Sequence, residues 1–124
     1  MCWVGRCDVK IAKRDFYVYK IGRVSDKGFN SLYQNFIYIP GVLNEKVKIR
    51  PIIHNFSIHK LLEEQYGVIH EGYHSYLTEE MAKGRMYSAE IGIFEIPVGA
   101  TVYINYAYRE VVSTDIKYLG LLEE

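Results

Sequence analysis

The side chains of this 124-residue sequence whose types could do chemistry are its four histidines, its two cysteines and scattered serines and carboxylates. The stretch from Gly72 to Leu119, around which the rest of the chain is expected to organise, holds His74, Ser75 and Glu110 among them. The four histidines form two close pairs, His54 with His59 and His70 with His74. The spacing of the second pair puts both rings on one face of a helix or a strand. No HExxH or CxxC pattern frames them, so no metal is expected. Phosphate-cradling glycine motifs are absent, and nothing resembling a nucleophile elbow surrounds a serine. Loss of Met1 would expose Cys2 as an N-terminal nucleophile activated by its own amine; an idle thiol is the simpler expectation.

The elements that must position these groups follow from composition and pattern. Length and a 49% hydrophobic fraction suit a single α+β domain over residues 1–124. Fifteen Lys+Arg balance fifteen Asp+Glu, so no net field gathers nucleic acid or an anionic membrane, and neither is expected as a partner. Two cysteines, Cys2 and Cys7, make no disulfide framework, and no signal peptide or apolar span is visible. A cytoplasmic protein with free thiols is expected. Tyrosine supplies 12 of the 18 aromatics, which suits half-buried strands and ligand clefts alike.

Alternation hints at a short strand around Val9 and Ile11. Residues 16–24 read as a strand, with Phe16, Val18 and Lys20 on one face and Tyr17, Tyr19 and Ile21 on the other. Gly22 then permits a turn or a close approach, and residues 25–28 make a turn. Strand-like runs follow at 31–39, ended by Pro40-Gly41, and at 46–54. Ser57 is expected to cap a helix over 58–66, stopped by Gly67, and Thr78 to cap a helix over 79–84. Strand 87–96 changes phase at Ile93–Phe94, the mark of a bulge or of burial on both faces. A turn at 97–99, a strand over 101–108, and short strands at 111–112 and 116–119 complete the sheet. The expectation is a mainly antiparallel twisted sheet of six to eight short strands with two short helices.

Two resemblances bear on function. Met1-Cys2, IAKRDFYVYK (11–20), SLYQNFIY (31–38), GYHSY (72–76), FEIPVGATVYI (94–104) and EVVSTDIKYL (110–119) resemble an uncharacterised family of small proteins from Bacteroidetes bacteria, their phages and mobile elements. That resemblance implies an anti-defence role for a phage protein and points to no activity. The order Tyr19-Lys20-Ile21-Gly22, Gly72-Tyr73-His74 before TEEMA, and Glu110-Val111-Val112 before Ile116-Lys117-Tyr118-Leu119 resembles the ADP-ribosyltransferase fold of the poly(ADP-ribose) polymerase branch. There Lys20 takes the place of a ribose-anchoring histidine, His74 that of a stacking tyrosine, and Glu110 that of the glutamate. Two of the three positions differ from that family's residues.

Together these lead to an expectation of nucleotide binding. The ligand would be derived from a nucleotide, either NAD- or ADP-ribose-like or a cyclic nucleotide immune signal. The binding residues would be Tyr19, Lys20, Arg23, His74, Tyr76, Arg85 and Arg109, with no resident cofactor. One alternative is an ADP-ribosyltransferase-like enzyme using Glu110 and His74, whose signature would be nicotinamide release from NAD. Another is a protein-protein interaction module that grips a host defence protein through a strand edge or a tyrosine patch.

Overall fold

A computed structural model describes residues 3–6, 9–31, 36–44, 49, 52–59, 62–69, 71–84 and 89–122. The first strands in chain order are β1 (Trp3–Arg6), β2 (Val9–Ile11), β3 (Phe16–Ser25), β4 (Gly28–Ser31), β5 (Ile37–Tyr38) and β6 (Leu43–Asn44). Next come β7 (Ile52–His59), β8 (Leu62–Ile69), β9 (Tyr73–Tyr76) and the helix α1 (Glu79–Lys83). The chain closes with β10 (Glu90–Ile96), β11 (Thr101–Asn105), β12 (Glu110–Ser113) and β13 (Ile116–Leu121). Every pairing is antiparallel.

β1, β8 and β7 make a three-stranded sheet. The other ten strands form a second sheet along the path β2-β11-β12-β9-β3-β10-β13-β6, with β4 branching from β3 and β5 pairing with β4. β3 and β9 meet only at Tyr19↔Tyr76, so a single residue pair joins the two halves of this path. Chain geometry shows that the sheet curls. Four strand spacings separate β12 from β13, roughly 19 Å if flat. Yet only Thr114 and Asp115 connect them, and three Cα steps reach at most about 11 Å. The sheet therefore bends until β12 and β13 approach, and its concave face encloses the main core.

That core takes Val18 from β3, Phe94 and Ile96 from β10, Tyr118 from β13, and Tyr73, Val102 and Val111 from the other half. Phe29, Tyr38, Phe94 and Tyr118 form an aromatic cluster with ring centroids 5.0–5.5 Å apart for the pairs in contact. The convex face is covered in two places. α1 contributes Ala82 and Met81 to a second cluster with Ile21, Tyr76, Ala89 and Ile91. Ile69 of the three-stranded sheet packs with Val112 and Tyr103.

The sheet-rich, mainly antiparallel architecture is present, but its details differ from the expectation. Thirteen strands and one helix replace six to eight strands and two helices among the described residues. The described residues of the expected helix over 58–66 are strand instead, in β7 up to His59 and in β8 from Leu62. β7 and β8 pair as a hairpin with an irregularity between Ser57 and His59, and β1 pairs with β8 in turn. Inter-strand bonding on both sides of β8 outweighs the helix propensity of its Leu-Glu-Glu-Gln run. The strand expected over 101–108 ends at Asn105, whose Oδ1 accepts from the amides of Ala107 and Tyr108 and folds the chain into a turn. Of the run at 31–39, residues 32–35 lie outside the described residues; among the others Ser31 is in β4 and Ile37–Tyr38 make β5. Much of 46–54 lies outside the described residues, as do Cys2, Cys7, His70, Arg85 and Tyr87. β2 forms where alternation placed it, but Val9 and Ile11 face solvent.

Other expectations hold. Ile39–Val42 closes a turn in which Pro40 precedes Gly41 at φ 80°, the arrangement a type II turn requires. β10 is buried on both faces at Ile91 and Gly92, and the bulge lies on its partner. Ile93 pairs with Gly120 and Phe94 with Tyr118, leaving Leu119 as the extra residue of β13. Thr78 caps α1, its Oγ1 accepting from the Met81 amide at 3.4 Å. Thr78→Ala is expected to lower stability by about 1 kcal/mol in urea unfolding, and Thr78→Ser to restore it. Among the described residues no helix is long and apolar enough to cross a membrane.

Candidate functional site

Alternation along β3, β9 and β12 decides which expected site residues can meet. Glu110 pairs with Tyr76, and Tyr76 pairs with Tyr19, so these three stand in a row across three strands on the convex face. His74 lies two residues before Tyr76 and shares that face, opposite Val112. The row is closely covered. Tyr76 packs in the cluster beneath α1, Glu110 is 8% exposed, and His74 is buried with Nε2 3.1 Å from the Ile69 carbonyl oxygen.

Lys20 does not join them. One residue past Tyr19, it points to the concave face, where it is 3% exposed. Arg23 is exposed further along β3, where β4 pairs. Arg109 is exposed in the β11–β12 turn at φ 54°, and its carbonyl accepts from the Leu77 amide at 2.7 Å. The expected constellation is thus divided between two faces. Tyr19, Tyr76, His74 and Glu110 are together, Lys20 lies behind them, and the two arginines stand apart.

The concave face holds an unusual polar group. Lys20 Nζ lies 5.1 Å from the ring centre of Tyr38 and 5.9 Å from that of Phe94. Loss of hydration pushes its amine from 10.5 down to about 7. The ring faces favour the charged form but return less than burial removes. Carrying the Tyr19↔Tyr76 register on by one residue sets Lys20 opposite Ser75. Ser113 follows on the same face, paired with Tyr73. The hydroxyls of Tyr38, Ser75 and Ser113 are buried with no hydrogen-bond partner among the described residues. Each such group costs about 1–3 kcal/mol if left unsatisfied, a large share of any domain's stability. Burial also raises the phenols of Tyr38 and Tyr73, helped for Tyr38 by Tyr73 and for Tyr73 by the Asp115 carboxylate.

A third feature escaped sequence reasoning. At the mouth of the curl, Ala12, Phe16, Leu77, Val102 and Ile104 floor a groove of about 830 Å³. Lys10, Lys13, Arg14 and Tyr106 stand at its rim. Lys10 Nζ donates to the Tyr106 hydroxyl at 3.1 Å and lies 5.1 Å from the ring centre. Among the described residues no acidic one lines the groove. The neighbouring Asp15 turns its carboxylate to the Val98 amide at 2.7 Å. The available signal was the cluster Lys10, Lys13 and Arg14 flanking a short strand beside Phe16. The missing information was that β2 pairs with β11 and sets this cluster opposite an apolar strand face.

Among the described residues no group of three or more His, Cys, Asp or Glu is placed to hold a metal. The chain matches no family model, no curated protein and no solved structure.

Proposed function

We propose that the protein binds a nucleotide-derived small molecule in the groove beside β2. The observation that carries this reading is an apolar floor facing three cations without an opposing carboxylate among the described residues. Phosphates need Lys and Arg, a planar base needs apolar or aromatic surface, and the groove offers both within one volume suited to a ligand. Phe16 and Tyr106 supply the aromatic surface. The site therefore shifts from the expected row of Tyr19, His74, Tyr76 and Glu110 to residues on the other side of β3. The covered position of Glu110 favours a structural role for it over a transferase role. An NAD- or ADP-ribose-like ligand, or a cyclic nucleotide immune signal, fits the chemistry, and sequestration of such a signal by a phage protein would serve counter-defence.

Calorimetric titration with NAD, ADP-ribose, cyclic ADP-ribose isomers and cyclic dinucleotides tests the proposal. One of them should bind, and the triple variant Lys10→Glu, Lys13→Glu, Arg14→Glu should weaken it by at least about tenfold. Silence from all of them at millimolar concentration, or equal binding by the charge-reversed variant, would refute the proposal.

A further inference from the structure

We infer that the concave interior of the sheet binds a small oxyanion, held by Lys20, Tyr38, Ser75 and Ser113. This site is separate from the groove and goes beyond the nucleotide reading.

The inference starts from donors and acceptors. An ammonium donates three hydrogen bonds and accepts none, while each hydroxyl can donate one. Lys20 from β3, Tyr38 from β5, Ser75 from β9 and Ser113 from β12 bring such groups into one interior, and all are more than nine-tenths buried. The three hydroxyl oxygens have no hydrogen-bond partner among the described residues. Of the buried polar residues described, Glu110 is the acidic one, and register turns it to the convex face. Two carboxylates act on this core, Asp115 on the Tyr73 phenol and Glu90 on that of Tyr118, but they accept from Thr114 Oγ1 and the Val24 amide, and among the described residues neither pairs with Lys20. An oxyanion answers the buried donors at once, supplying charge to the amine and acceptors to the hydroxyls. Val18, Phe94 and Val111 are fully buried on the same face.

The test is thermal melting at pH 7 and fixed ionic strength in sodium chloride, titrated separately with phosphate, sulfate and acetate to roughly 20 mM. Wild type should show a saturable rise of about 5 °C with at least one of them. Lys20→Met should lose that rise, and Ser75→Ala with Ser113→Ala should shift its midpoint to higher concentration. In wild type the anion should also move the titration of the Lys20 amine, followed by NMR, upward from about 7. The groove charge reversal should leave all of this unchanged, which keeps the two sites distinguishable. No saturable rise with any anion, or the same rise in Lys20→Met, overturns the inference.

Discussion

Lys20→Met is expected to raise the melting temperature by about 10 °C at pH 7 in a buffer free of oxyanions. Methionine keeps the aliphatic reach of lysine and its contact with the Tyr38 and Phe94 rings, and removes a charge that pairs with no carboxylate among the described residues. A fall from 10.5 to about 7 corresponds to about 5 kcal/mol of lost preference for the charged form, of which packing in the variant should recover about half. The pH dependence has a definite sign. Below 7 the amine is charged in both the folded and unfolded chain, and the folded state carries the full penalty. Between 7 and 10.5 the unfolded chain holds a proton that the folded chain has released, so stability rises with pH. Above 10.5 both are neutral and the effect is constant. Paired urea unfolding curves from pH 6 to 10 should therefore show wild type gaining on Lys20→Met as pH rises. Parallel curves across that range would mean that the amine is solvated in the folded protein.

Gly22→Ala is expected to be strongly damaging, lowering stability by about 3 kcal/mol or more. A Cβ at this position would run into the Asn30 carbonyl oxygen of the paired strand and come within 2.6 Å of Phe29 Cε1. Neither neighbour can yield cheaply. Asn30 is held by pairing with both β3 and β5, and the Phe29 ring is fully buried against Phe94 and Tyr118. Gly92, on the adjacent strand, leaves the other part of the same slot, its own Cβ falling 3.0 Å from Phe29 Cε2. Gly41→Ala is the matched control: nothing lies within 4 Å of its Cβ, and only its φ of 80° opposes the change, at about 1 kcal/mol. Chemical denaturation of the two variants should separate them clearly. Equal losses would show that the Phe29 ring does not occupy the slot.

The sequence revealed most where side chains alternate against a buried face. β3 was legible because Val18 and Lys20 share one face and Tyr19 and Ile21 the other; its Gly22, expected to permit a turn or a close approach, stays in the strand and permits the approach. The Ile93–Phe94 phase change was legible as well, although a single strand cannot reveal that the extra residue belongs to Leu119 on its neighbour. The β7–β8 hairpin was not legible. Its Leu-Glu-Glu-Gln stretch has good helix formers, and only pairing on both sides of the strand, with β7 and with β1 some sixty residues earlier, selects the extended form. The site was partly legible for a similar reason. Tyr19, Tyr76 and Glu110 line up because two registers place them so, and the same registers send Lys20 to the far side. Local pattern assigns a face, and it carries no information about which distant strand supplies the neighbour.

The order of strands in the large sheet sets a timetable for the newborn chain. β3 is made before β10, yet it pairs with β10 from Phe16 to Gly22, with a partner made roughly 70 residues later and so several seconds afterwards at ordinary rates of synthesis. Until then it has β4 to pair with, along its last four residues. Val18 and Ile21 wait unshielded through that interval. A buried amine in the middle of this strand keeps a full positive charge while it waits in water, and a charge within an apolar strand discourages pairing with the wrong chain. The residue that weakens the finished protein thus protects the unfinished one.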